Sequence, residues 1–176
     1  RVLADAIADA LPLDPSWSVL DYGCGTGQLT WHLGERVGHV TLADVSAGML
    51  DAARHHPRRD AARHDVIEFD LAIRPLDAPV DLVVSALALH HIADIEAVLA
   101  NLWLSLRPGS WLAIAELDAD PGNHFHDDHF GGHPGIDRDR LVRDLSTIGF
   151  EDAEAHTVTT ILKAKHDVER EFEQRA

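Results

Sequence analysis

Between Arg1 and Leu11 the apolar residues Val2, Leu3, Ala6, Ile7, Ala10 and Leu11 recur at the spacing of one helix face, and Pro12 and Pro15 end the pattern. Trp17 to Tyr22 is a short apolar run followed at once by glycines, which predicts a buried strand opening a strand-loop-helix unit. The next helix is predicted over Gln28 to Val37, with Gly38 placed to stop it. Val40 to Ala43 reads as a second strand ending at Asp44, and Ser46 as the cap of a helix carrying Met49, Leu50, Ala53 and Arg54. Val66 to Phe69 and Val80 to Ser85 are the third and fourth strands. Asp94 caps a helix over Ile95 to Leu106, and Arg107-Pro108-Gly109 turns the chain into a fifth strand, Trp111 to Leu117. Residues 118–136 are rich in Gly, His and Asp without periodicity, as a long surface loop is. A helix over Asp137 to Ile148, stopped by Gly149, a sixth strand over 156–162 and a polar, helix-prone stretch from Asp167 to Arg175 complete the pattern.

Strands alternating with helices of about ten residues predict right-handed crossovers, hence an α/β fold: a doubly wound, mostly parallel, Rossmann-like sheet with helices on both faces. Ligands of such folds bind beyond the carboxyl ends of the strands. A length of 176 residues suits a single domain spanning 1–176. Val80 to Ile92 and Trp111 to Leu117, the longest apolar stretches, are shorter than the ~20 residues a membrane-spanning helix needs, so no membrane partner is expected. A single cysteine, Cys24, cannot form an internal disulfide, and the cytoplasm is the default location. The formal net charge of -15 repels phosphate backbones and argues against nucleic acid as a partner.

The candidate chemistry begins at Asp21-Tyr22-Gly23-Cys24-Gly25-Thr26-Gly27. Its glycines permit a tight turn and let main-chain N–H groups approach a ligand without Cβ interference. A dinucleotide-binding loop would carry a further glycine where Gln28 stands, and Asp21 beside a pyrophosphate would be costly. The same carboxylate facing a sulfonium or ammonium group is favourable.

This segment resembles the first motif of class I S-adenosylmethionine-dependent methyltransferases, and the order of later landmarks agrees from about Trp17 to Phe150. The resemblance implies that Asp21, Gly23, Cys24, Gly25 and Gly27 surround the methionine part of S-adenosylmethionine. It implies that Asp44, 23 residues after Asp21, holds the ribose hydroxyls with Val45 and Met49 beside it, and that Asp70 with Leu71 lies near the adenine amino group, Asp65 being its competitor. Ser85 and Ala86, opening Ser85-Ala86-Leu87-Ala88-Leu89-His90-His91-Ile92, are similar to the segment that closes over the methionine end. Leu106-Arg107-Pro108-Gly109-Ser110 resembles the family's turn before the fifth strand. The family's terminal antiparallel strand is expected to be missing or truncated, leaving a sheet edge exposed or paired with another chain, which makes a homodimer an expectation.

The implied reaction is methyl transfer to a small-molecule acceptor by in-line displacement, needing alignment and water exclusion more than a dedicated catalytic group. Candidates for a base are His90, His126, His129 and His133. His124, His126, His129 and His133, with Asp127 and Asp128, also have the residue types of a metal site, but one loop supplies them all, and no metal is expected. Cys24 has no evident partner base and reads as a small buried side chain. Trp17, Trp31, Trp103 and Trp111 read as packing residues. Two other classes stay open: a non-catalytic module that binds S-adenosylmethionine or a protein, and a nucleotide-dependent oxidoreductase.

Overall fold

Successive side chains along a strand point to opposite faces, which sorts the buried residues of the sheet into two cores. Val19, Val40, Leu42, Leu82 and Val84 pack on one face with Ala4, Ile7, Trp31, Leu33 and Leu50, whereas Leu20, Ala43 and Val83 pack on the other with Leu89, Val98, Leu99 and Leu102. Helices on both faces follow from that sorting, since a parallel sheet must bury both its surfaces. The computed structural model describes residues 1–59, 63–120 and 131–160. Its elements run α1 (Val2–Ala10), β1 (Ser18–Tyr22), α2 (Gln28–Leu33), β2 (His39–Asp44), α3 (Ala47–Arg54), β3 (Arg63–Glu68), β4 (Val80–Ala86), α4 (Ile95–Leu104), β5 (Leu106–Ala115) and α5 (Arg138–Ile148). The sheet order is β3-β2-β1-β4-β5, with every pairing parallel. The order reverses between β1 and β4, and the crevice beyond their carboxyl ends is where such sheets bind ligands.

Helix starts are fixed by side-chain caps at Ser46, Asp94 and Asp137, which accept from the amides of Met49, Ala97 and Arg140. No helix among the described residues is long and apolar enough to cross a membrane.

Four expectations are corrected. The second helix stops at Leu33 and continues as a 3-10 turn over Gly34–Arg36. The turn expected at Arg107-Pro108-Gly109 lies within β5: Val80 pairs with Leu106 and Leu82 with Trp111, so the intervening residues bulge out of the ladder. Arg107 reaches from the bulge to Asp81 at 2.6 Å, and Asp81 accepts the Ser18 amide and hydroxyl, each at 2.8 Å. Trp103 and Trp111 are each 42% exposed and so are not core, although Trp103 packs edge-on against Phe150 with ring centroids 4.9 Å apart. Residues 156–160, expected as most of a sixth strand, form no strand and are exposed, and 161 and 162 lie outside the described residues. Strand propensity is realised only where a neighbour completes the ladder, and the contact described there is instead a side-chain one, Arg138 to Thr157 Oγ1 at 2.9 Å.

Candidate ligand cleft at the sheet switch point

β1 delivers Asp21 to the edge of the crevice, and the chain then turns sharply through Gly23 to Gly27. Gly23 has φ +67°, and a Cβ placed there would overlap Ala88 Cβ, so the loop and the turn after β4 touch only because position 23 lacks a side chain. Gly25 has φ +53° and open space where its Cβ would stand. The loop amides are less available than expected. Those of Gly23 and Cys24 donate to Ala43 O at 2.8 and 3.1 Å, Gly25 N donates to Asp44 Oδ2 at 2.9 Å, and Gly27 N donates to Cys24 O at 2.9 Å. The loop therefore offers close approach more than a set of donors. Beneath it Trp31 is fully buried, donates from Nε1 to Thr26 O at 3.1 Å and is stacked on His56.

A cleft of about 350 Å³ opens here, lined by Leu3 and Ala4 of α1, Asp21, Gly23, Cys24, Gln28, Ala86 and Leu87. Its size falls in the range of small-molecule sites. Another hollow, about 430 Å³, lies at the far end of α1 near Pro12 and Arg36, away from every residue expected in the site. Asp21 is 1% exposed and accepts the Thr30 hydroxyl at 2.5 Å. Burial pushes its carboxyl up to about 6, against the pull of the Thr30 hydrogen bonds, and the Asp44 charge adds to the rise. Burial likewise raises the Cys24 thiol, with Asp21 and Asp44 adding to it, so Cys24 is no thiolate nucleophile.

Two further acids stand at successive strand ends. Asp44 Oδ2 takes the Gly25 amide and Oδ1 the Ser46 amide at 2.8 Å, which fixes the carboxylate between the loop and α3. Asp70 follows β3, accepting from Ala72 N at 2.8 Å and the Tyr22 hydroxyl at 3.4 Å. Burial, helped by the charge of Asp70, pushes Tyr22 up to about 12. Asp65 instead sits within β3 and pairs with His39 at 2.9 Å, so it is not the strand-end acid. Val45 and Met49 are 61% and 47% exposed, while Leu71 is fully buried in the core and its carbonyl accepts Asn101 Nδ2 at 2.6 Å.

The β4 side of the cleft is held by a residue the sequence reading missed. Glu116, just past β5, accepts Leu89 N at 2.6 Å through Oε1 and bonds His90 Nδ1 at 2.7 Å through Oε2. Both side chains are almost wholly buried. An acid ending an apolar strand on the ligand side was the available signal, the same one that marks Asp44. Leu87, also missed, lines the cleft with φ +56°, a conformation costly for a side chain of its kind and typical of functional sites. Ser85 is fully buried, and its hydroxyl has no hydrogen-bond partner among the described residues. His133 donates its amide to His90 O at 2.7 Å, and its Nε2 lies 2.9 Å from Ile92 O. The structure thus brings His90 and His133 together, whereas His124, His126 and His129 lie outside the described residues.

The methyltransferase domain family matches residues 20–112, from the middle of β1 to the middle of β5. The chain is 39% identical over 106 residues to a malonyl-[acyl-carrier protein] O-methyltransferase of Serratia marcescens, covering 60% of this chain and 40% of that protein. It is 36% identical over 122 residues to a trans-aconitate 2-methyltransferase of Deinococcus radiodurans, covering 68% of this chain and 43% of that protein. It therefore spans less than half the length of these relatives. A crystal structure from Bacillus halodurans C-125, described as that of a methyltransferase, superposes with a TM-score of 0.75 at 18% identity, over 87% of this chain and 71% of that one, which shows the shared fold. Spanning the glycine loop, the strand-end acids and the wall after β4, the match establishes that the chain belongs to the methyltransferase domain family.

Proposed function

We propose that this chain binds S-adenosylmethionine in the cleft between β1 and β4 and transfers its methyl group to a small-molecule acceptor. The observation that carries this reading is Asp21: a buried carboxylate lining a cleft of ligand size, next to main chain that no Cβ covers. A cationic ligand is the partner such an acid suits. Asp44 and Asp70 add acceptors for hydroxyl and amino groups, and both keep lone pairs beyond the bonds described.

Bound there, S-adenosylmethionine would supply a methyl group already activated by a positive sulfur. The chain's part is then to hold, orient and keep water out. Asp21 orients the cationic end, Gly25 allows close approach, and Asp44 with Asp70 fixes the nucleoside. Ala86 and Leu87 wall the side on which the acceptor arrives. His90 and His133 are engaged in tying the β4 turn to Glu116 and to residues 131–136, so we assign them to shaping that wall and give neither the role of base. Such a site suits an acceptor whose reacting atom is already deprotonated. The malonyl and aconitate acceptors in the relatives' names bear carboxyl groups, and a carboxylate is the acceptor group we favour.

Further proposals concern the whole protein. The net charge of -15 supports a partner other than nucleic acid, one sheet with two shared cores supports a single domain, and partly exposed β5 supports self-association along that edge. A cytoplasmic location is retained on the lone cysteine, which is buried.

Calorimetry with S-adenosylmethionine on wild type and Asp44→Ala tests the central reading. Loss of the hydrogen bonds to a charged acceptor should weaken binding roughly ten- to a hundredfold. Equal affinity would remove Asp44 from the site, and no binding to wild type would overturn the proposal.

A further inference from the structure

Asp21 is buried among apolar neighbours, yet among the described residues no cationic side chain forms an ion pair with it. Its direct side-chain partner is the hydroxyl of Thr30, on the first turn of α2. Thr30 is in the first turn of α2, and the carbonyl four residues earlier lies ahead of the N-cap Gly27. That carbonyl, Thr26 O, is taken by Trp31 Nε1, and Thr30 Oγ1 points to Asp21 Oδ2. Thr30 is itself fully buried, so its hydroxyl has no water to exchange for that bond.

We propose that Thr30 is a positioning residue for the ligand site: its hydroxyl holds Asp21 in the ionised form a cationic ligand requires, so that the proton on Asp21 sets ligand affinity. The inference rests on the reading of the cleft as a site for S-adenosylmethionine. The groups facing Asp21 are few. Asp44 at the end of β2 disfavours its charge, the Cys24 thiol in the loop is neutral, and Arg1, on the α1 side of the cleft, is turned toward Asp5 at 3.4 Å. Thr30 alone among them supports ionisation, which keeps the carboxyl near 6 instead of higher. Below that pH the site holds a proton that a cationic ligand must displace, and affinity falls by up to about tenfold per pH unit.

The test is calorimetry with S-adenosylhomocysteine, which keeps the ammonium group, from pH 5 to 8, with Asp21 titrated in the free protein by carboxyl carbon NMR. Thr30→Val keeps the shape and removes the donor, Thr30→Ser keeps the donor, and Asp21→Asn removes the titration. The expected result is a wild-type affinity that declines below about pH 6, and a decline beginning roughly one unit higher in Thr30→Val. That displacement corresponds to about fivefold weaker binding at pH 6, approaching tenfold at pH 5, and little change at pH 8. Thr30→Ser should restore the wild-type profile, and Asp21→Asn should be flat and weak. A folded Thr30→Val with the wild-type profile overturns the proposal, as does an Asp21→Asn that still titrates. If Thr30→Val fails to fold, Thr30→Ala carries the same comparison. Should wild type bind nothing at any pH, the cofactor reading fails; an NMR midpoint that shifts in Thr30→Val then still supports control of Asp21 by Thr30, and an unshifted one overturns it.

Discussion

The two halves of the cleft are built differently. On the β1, β2 and β3 side the acids stand at or near the strand ends and bond mostly to nearby groups: Asp21 to Thr30, Asp44 to Gly25 and Ser46, Asp70 to Ala72 and also to the more distant Tyr22. On the β4 and β5 side local amide bonds of His91 to Ala88 and Ile92 to Leu89 are joined by distant partners, Glu116 with Leu89 and His90, and His133 with His90 and Ile92. The first half is fixed mostly by local chain geometry and the second also by closure of long stretches of chain. Local sites are rigid on their own, whereas a wall joined by a few remote bonds fails when one is lost.

The sharpest way to break that contrast is Gly23→Ala, because position 23 is where the halves meet. The new methyl overlaps Ala88, at a φ that favours glycine. We expect a loss of about 3 kcal/mol, and ligand affinity should fall with stability, as paired denaturation and calorimetry would show. Glu116→Ala should separate the halves instead. It leaves the Leu89 amide and the His90 ring without their buried acceptor, at a cost of about 2–3 kcal/mol. Acceptor turnover should collapse while affinity for S-adenosylhomocysteine stays within roughly threefold. A large loss of that affinity would show the halves to be one unit.

The smallest expected effect has the opposite sign. Asp21 binds a proton more tightly when folded than its ordinary value of 3.8, so its contribution to stability is present at low pH and is lost as pH rises from about 4 through about 6. Asp21→Asn should remove that loss, stabilising the unliganded protein at pH 7 by on the order of 2 kcal/mol while weakening ligand binding. Thermal melts of the two proteins should converge below pH 4, and parallel melting curves from pH 4 to 8 would refute it.

The same division explains what the sequence revealed. Strand-loop-helix grammar is local, so the strands carrying or preceding Asp21, Asp44 and Asp70 are legible as short apolar runs, and the family resemblance of the glycine loop then implies the role of each acid. Glu116 ends such a run too, but its value lies in contact with His90, 26 residues earlier, and no local pattern carries that pairing. Thr30 reads as an ordinary helical residue in the sequence, and only the fold sets its hydroxyl against Asp21. Residues 156–160 show the converse, local strand character without a neighbour to pair with.

The excursion in β5 sets how this half tolerates change in length. Four residues of β5 follow Leu106 before Trp111 regains its rung, against one on β4, and from there Leu82–Ala86 and Trp111–Ala115 run in unbroken step. Because Glu116 lies downstream of the re-locked ladder, residues added to or removed from 107–110 would be absorbed upstream without turning it to the opposite side of the sheet. That corner, at the end of the molecule away from the cleft, is thus a natural place to graft a peptide or an affinity tag, at the cost of the Arg107–Asp81 clasp.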